Sequence, residues 1–322
     1  MSLSNSGLKA GVIGTGNLGK NHVRIYSGCD DIDSVYLYDI DRENARKISE
    51  KFNAELSPSL SELLKECDIL SVCTPATTHF DIVCQALDSG VDVLVEKPIT
   101  SDWRDGAKLV DKAKEKNRIL QVGHIERFNG VFESILPLIR NPMFIECHRL
   151  GTFTPRGTDV SVIVDLMIHD IDIILAILGY DQLVETRSSG AGVITESADI
   201  VNARLEFKGG CVANITASRI SPEPFRKIRF FQENLYLSAD FRKKKVKAFR
   251  KADRIDFNTV SEDPTSFIDP LRVEVDMEEP LKKEIYSFIS AVKNSTDVVV
   301  TGEQAVKALM VAEKIIEGIK TN

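Results

Sequence analysis

Gly11-Val12-Ile13-Gly14-Thr15-Gly16-Asn17-Leu18-Gly19 is the stretch on which the fold turns. The run Lys9 to Ile13 that leads into it is β-branched and apolar, as a buried strand is, and Leu18 to Ser27 spaces its apolar residues three and four apart, as an amphipathic helix does. Three glycines between a strand and a helix have a physical reading. Gly14 permits the tight turn, Gly16 lets backbone approach a pyrophosphate, and Gly19 lets the helix pack closely on the sheet, with the phosphates held at the positive helix N-terminus. Gly14, Gly16, Asn17, Leu18 and Gly19 are therefore expected to contact a dinucleotide. Asp39 stands twenty residues after Gly19, at the end of the next strand-like run, where a carboxylate accepts hydrogen bonds from ribose hydroxyls and repels a 2'-phosphate. NAD is expected over NADP. Arg42, three residues further on, could soften that discrimination, its plainer reading being a solvent-facing charge on the following helix.

Working outward, the same alternation repeats. Ser34 to Tyr38, Ile69 to Cys73, Asp92 to Val95 and Ile119 to Val122 read as strands apolar on both faces, and Arg42 to Lys51, Thr77 to Ser89 and Trp103 to Lys116 as helices between them. This predicts an α/β Rossmann domain, a doubly wound parallel sheet, over residues 1–123. Beyond Gly123 the pattern changes to a helical segment at Asp165 to Leu178 and strand-rich sequence from Leu183 to about Val275, including Ile200 to Phe207, Cys211 to Ala217 and Leu235 to Phe241. A second α+β domain with a mainly antiparallel open sheet is expected over 124–322, carrying substrate and oligomer contacts. Pro280 to Lys293 and Thr301 to Lys320 read as helices, the latter opened by a Thr301-x-x-Gln304 capping box and able, over 302–320, to pack back on the first domain.

Composition narrows the class. At 322 residues, 43% hydrophobic and 28% charged, the chain is that of a folded protein of about two domains. Its formal charge of −7 argues against a nucleic-acid coat. No run approaches the length of a membrane span, and Met1 to Lys9 has neither the basic segment nor the apolar run of a secretory signal, so a cytoplasmic protein without membrane contact is expected. The cysteines Cys29, Cys67, Cys73, Cys84, Cys147 and Cys211 are scattered without a C-x-x-C pair. They read as free buried thiols, with no metal expected.

Chemistry enters at Val93-Leu94-Val95-Glu96-Lys97-Pro98, where a charged pair leaves a buried strand at the end where parallel sheets bind ligands. Asp165 and His169, four apart in Asp165-Leu166-Met167-Ile168-His169, share one helix face and can address one ligand. Taken singly, such a lysine, histidine or aspartate is more often a surface or structural residue. Together with the glycine turn, Glu96-Lys97-Pro98 resembles the glucose-fructose oxidoreductase, inositol dehydrogenase and MocA family of oxidoreductases. Thr74-Pro75-Ala76-Thr77-Thr78-His79, Arg127-Phe128-Asn129 and the Asp165 to His169 segment extend the likeness over most of the chain. The resemblance implies that Lys97, Asp165 and His169 are catalytic, and that Thr74, Pro75, His79, Glu96, Lys97 and Arg127 contact the cofactor. It also implies that Lys97, Asp165 and His169 bind substrate. The chemistry agrees. Removing a hydride from a carbinol carbon requires the hydroxyl proton to leave in step, and an imidazole is a suitable base. Where the family often has proline after its R-F-x segment this chain has Gly130, which predicts a less constrained turn.

Within the family, Val122 to Asn129 and Asp165 to Asp172 are most similar to the branch that oxidises the 3-hydroxyl of UDP-N-acetylglucosamine, whose ketone product a partner aminotransferase can consume. That is the expected substrate, with a free sugar or inositol as the alternative and a non-catalytic NAD-binding regulator as the alternative of another class. A nucleotide sugar needs a cation for its pyrophosphate, and Arg156 is the candidate. Asp170 and Asp172 are offset from His169 and read as packing or solvation residues. The basic stretch Arg242 to Lys251 reads as a solvated edge hairpin. Related enzymes pair through the second-domain sheet, so a homo-oligomer, dimer or tetramer, is expected through the strands Ile200 to Phe207 and Cys211 to Ala217.

Overall fold

The computed structural model describes residues 7–154, 160–252 and 267–319. The chain divides into two compact units, 1–125 with 279–309, and 126–278 with 310–322. In the first unit the strands are β1 (Leu8–Ile13), β2 (Ile32–Tyr38), β3 (Glu55–Leu56), β4 (Ile69–Val72), β5 (Asp92–Glu96) and β6 (Leu120–Gly123). They form one sheet in the order β3-β2-β1-β4-β5-β6, with every pairing parallel. The helices of the crossovers are α1 (Gly19–Ser27), α2 (Arg42–Phe52), α3 (Leu60–Glu66), α4 (His79–Asp88) and α5 (Trp103–Glu115). β4 and β5 are buried at every residue, as strands covered by helices on both faces must be. Ala10, Val12, Ile69 and Leu94 on one face pack with Val23 and Tyr26 of α1. α8 (Pro280–Asn294) returns to this unit, adding Leu281, Ile285, Phe288 and Ile289 to the same core. α9 (Gly302–Gly318) opens with the expected reciprocal box, Gln304 N–H to Thr301 Oγ1 and Thr301 N–H to Gln304 Oε1, both at 3.3 Å.

The second unit holds α6 (Gly130–Ile135), α7 (Ile168–Leu178) and an eight-stranded sheet of β7 (Phe144–Leu150), β8 (Leu183–Ala191), β9 (Ile200–Phe207), β10 (Val212–Ser218), β11 (Phe225–Phe231), β12 (Leu235–Asp240), β13 (Lys245–Lys251) and β14 (Ile268–Leu271). Its order is β14-β13-β12-β11-β7-β10-β9-β8, antiparallel except between β7 and β10. Val201, Ala203, Leu205, Phe207, Ala213, Ile215 and Ala217 alternate onto the buried face. The opposite face of β9 and β10, strands of the expected interface, is a polar ladder. Asn202 Nδ2 donates to Thr216 Oγ1 at 2.9 Å, and Arg204 pairs with Glu206 at 3.1 Å. Further along, Phe144, Phe231, Tyr236 and Phe249 are in ring contact, Phe231 exposed and the other three half-buried. The basic stretch becomes the turn into β13 and β13 itself. It is not an edge, because β14 pairs with it outside.

Gly130 also departs from expectation. A Cβ there would stand 2.1 Å from the Asp276 carbonyl oxygen, so the position is closed by a backbone contact that only glycine allows. Gly130→Ala is expected to cost at least about 2 kcal/mol through this overlap, read as a lower urea midpoint at unchanged m-value.

Candidate active site

All the cofactor-binding candidates of the first unit sit at or just beyond the C-terminal ends of β1, β2, β4 and β5, where an open parallel sheet binds ligands. Gly14 has φ +83°, and a Cβ on Gly19 would lie 1.7 Å from the Gly14 carbonyl oxygen, so strand and helix meet backbone to backbone. Nothing lies within 4 Å of where a Cβ on Gly16 would stand, and Gly16, Asn17 and Leu18 are exposed. A pyrophosphate can reach this backbone. Asp39 accepts from Thr15 N–H at 2.6 Å, Thr15 Oγ1 at 2.9 Å and Asp41 N–H at 2.9 Å. A carboxylate offers about four acceptor sites, so Asp39 ties the glycine turn to β2 and keeps capacity for a hydroxyl. Asn44 completes the brace, its Nδ2 donating to Thr15 O at 3.1 Å and Oγ1 at 3.0 Å.

Arg42 is not simply a solvent-facing charge. It donates to the carbonyls of Ser57 and Pro58 and lies over the Tyr38 ring, 4.8 Å from its centroid. Two residues here escaped the sequence reading. Asn44 carried no signal, but Ile40, 90% exposed immediately after Asp39, is an apolar residue at a strand end with nothing to pack on, which is a platform for a flat base.

Thr74 and Pro75 follow β4, half-buried and exposed respectively. His79 lies beneath them, 1% exposed, with Nδ1 2.9 Å from the Pro98 carbonyl oxygen and Nε2 2.9 Å from that of Thr74. It staples the two loops together, and burial pushes its pKa below the ordinary imidazole value against the pull of those carbonyls. Lys97 is half-buried just past β5. Glu96 is buried, 3.1 Å from His22 Nε2.

In the second unit a wide π-helical turn, Ile163–Met167, runs straight into α7 and carries the exposed Asp165, with half-buried His169 in the first turn of α7. Such turns recur at functional positions in helices. The rest of α7 is sunk in the core, so its other acids need partners. Asp170 receives Arg149 Nε at 3.0 Å and Nη2 at 2.9 Å, while Arg149 Nη1 donates to Glu126 at 2.9 Å. Burial alone would push the Arg149 guanidinium down, and the two carboxylates more than reverse it. Asp172 meets Tyr180 Oη at 3.3 Å and Arg127 Nη1 at 3.6 Å, so Asp170 and Asp172 do serve packing. Arg127 spends the same nitrogen on Tyr180 at 3.0 Å. Arg156 lies outside the described residues.

The first unit carries a glycine turn built for a dinucleotide and a lysine at a strand end, and the second a helix bearing an acid and an imidazole, features of a dehydrogenase class. The comparisons make it particular. Residues 8–124 match the model of an oxidoreductase family with an NAD-binding Rossmann fold. A UDP-N-acetylglucosamine 3-dehydrogenase of Acidithiobacillus ferrooxidans is 36% identical over 235 residues, 73% of this chain and 74% of that one. A solved structure of that enzyme superposes with a TM-score of 0.88, at 30% identity over 97% of both chains. A myo-inositol 2-dehydrogenase of Thermotoga maritima is 25% identical over 66% of this chain and 69% of its own. The chain belongs to the glucose-fructose oxidoreductase, inositol dehydrogenase and MocA family.

One buried acid near the site has no expected role. Glu284 of α8 is fully buried, and neither carboxyl oxygen has a hydrogen-bond partner among the described residues. Burial holds its pKa well above the ordinary value of 4.5, and the charge of Glu96 pushes the same way. The unfolded chain therefore loses this proton above about pH 4.5 while the folded one keeps it, and stability falls with rising pH. Glu284→Gln is expected to remove that contribution. Urea midpoints for variant and wild type should agree near pH 4 and diverge in favour of the variant toward pH 8.

Proposed function

We propose that the protein oxidises a secondary hydroxyl of a sugar with NAD, the substrate being UDP-N-acetylglucosamine at its 3-hydroxyl. The carrying observation is the match to the 3-dehydrogenase named above, which runs through both units at 97% coverage. The first unit fits NAD. The open backbone at Gly16 receives a pyrophosphate, Asp39 a ribose hydroxyl, and Ile40 a base, and Arg42 is already held by two carbonyls, which disfavours a 2'-phosphate. Thr74, Pro75 and Arg127 complete the cofactor contacts in this reading, with His79 and Glu96 supporting them from beneath.

When bound, NAD supplies the hydride acceptor. The chain supplies the rest. His169 takes the hydroxyl proton as the carbon gives up its hydride, so the carbon–oxygen bond becomes a carbonyl with no charge left on the sugar. The Lys97 ammonium polarises the reacting oxygen, and Asp165 completes the group that binds it. Arg156 is the proposed cation for the substrate pyrophosphate. We further propose self-association through the open face of the second-unit sheet, where the Phe144, Phe231, Tyr236 and Phe249 patch needs cover. The 3-keto product is a substrate for an aminotransferase.

The test incubates protein, NAD, UDP-N-acetylglucosamine, glutamate and a sugar aminotransferase, and follows a 3-amino sugar by mass, with NADP at matched concentration in parallel. A 3-amino product with NAD ahead of NADP is expected. No product, alongside NADH formed from myo-inositol, would move the substrate to the free polyols that other relatives are named for. In the same assay His169→Ala and Lys97→Ala are each expected to lower turnover about 10^2 to 10^4-fold while NADH binding, read by fluorescence, stays near wild type.

A further inference from the structure

The face of the first-unit sheet that packs on α1 and α8 is apolar at Val12, Ile69 and Leu94 and then turns polar at the C-terminal strand ends, at Ser71 of β4 and Glu96 of β5. Period-two alternation puts Ser71 on the face of Ile69, and Glu96 on that of Leu94. α1 answers with His22 and Tyr26, four apart and so on one helix face. His22, Ser71 and Tyr26 are fully buried and Glu96 is 7% exposed.

The four side chains form one hydrogen-bonded chain. The Glu96 carboxylate accepts, so His22 Nε2, 3.1 Å away, donates to it. His22 Nδ1 lies 3.0 Å from Ser71 Oγ, which is in turn 2.9 Å from Tyr26 Oη. On its other side the carboxylate lies over Gly123 of β6, where an added Cβ would come 3.0 Å from Oε2. The last residue of β5 is thus held between a helix and the neighbouring strand, and the next residue is Lys97. Cys73 Sγ also comes within 4.8 Å of the His22 and Glu96 ligand atoms. Burial raises the Cys73 thiol pKa well above its ordinary value, and both imidazole nitrogens of His22 are engaged with Ser71 and Glu96.

We propose that His22 is a positioning residue for Lys97: through its bond to Glu96 it fixes the end of β5 and so where the Lys97 ammonium stands during hydride transfer. This rests on the role given to Lys97 above.

A mutant cycle tests it by single-turnover NADH formation, with UDP-N-acetylglucosamine as the probe, or myo-inositol if that is what the wild type oxidises. Asparagine at 22 can reach Ser71 but is too short for Glu96, whereas glutamine places an amide near the Nε2 position. His22→Asn is expected to lower the single-turnover rate constant about 10 to 100-fold, as loss of outer-shell partners of metal ligands does, with the NADH dissociation constant, read by fluorescence, within about twofold of wild type. His22→Gln should regain most of it. In the Lys97→Ala background His22→Asn should cost nothing further, because the two act as one unit. Equal impairment of the Asn and Gln variants, or a full His22→Asn effect without Lys97, would overturn the inference and leave His22 a folding residue. A Lys97→Ala variant with near wild-type turnover would instead remove Lys97 from the chemistry, and the inference with it. Thermal midpoints accompany each variant. Should His22→Asn not fold, Gly123→Ala, which meets the same carboxylate from β6, enters the cycle with the same expectations.

Discussion

The carbonyl oxygen of Gly14 occupies the space in which a side chain on Gly19 would begin. A Cβ on Gly14 itself would stand 2.7 Å from the Cys73 carbonyl oxygen, at the end of β4. Three backbone segments, the end of β1, the start of α1 and the end of β4, therefore converge with no side chain between them. That approach sets how deep α1 lies on the sheet. Its depth decides that His22 and Tyr26 reach Ser71 and Glu96, and it presents the open backbone at Gly16 at the helix mouth. The open glycine turn and the buried hydrogen bonds that hold Glu96 are two results of one steric constraint.

Each unit handles buried charge beside a functional candidate in the same way. Glu96 is held from below and Lys97 follows it, and Asp170 is gripped by Arg149 and follows His169. The two anchors differ in kind. The first is a chain of hydrogen bonds ending on one acid, and the second an ion cluster in which Arg149 faces two carboxylates and Arg226 stands 3.7 Å from one of them. Removing one member of the second leaves an uncompensated charge in the core, which costs far more than the intact cluster contributes. In both, the acid gives the backbone a fixed point, and the adjacent residue, Lys97 or His169, keeps a partly exposed side chain.

The parallel sheet was legible because buried strands and amphipathic helices of the first unit alternate with different periods, and the glycine turn marked where they begin. α3 and β3 were too short to show a period. In the second unit β9, β10 and β12 were legible from their alternation, while β7, between Phe144 and Leu150, was hidden by Glu146, His148 and Arg149 within it. Arg149 in particular reads as a surface residue until Asp170 and Glu126 are brought to it from elsewhere in the chain. Gly130 was misread for a related reason, since the Asp276 carbonyl that closes on it is remote in sequence. Local pattern reports helix faces and strand alternation. It does not report which distant backbone or countercharge will arrive.

The first unit is closed by residues that come after most of the second: α8, with Leu281, Ile285, Phe288 and Ile289, covers the face of α1 and β1 only once the chain has passed residue 279. During synthesis all six strands of the parallel sheet therefore leave the ribosome before the helix that covers this apolar flank, with more than a hundred residues made in between. That interval is filled by most of the second unit, whose last piece, 310–322, follows in turn. Until α8 arrives the flank stays open to solvent, an exposure that two consecutive domains would avoid.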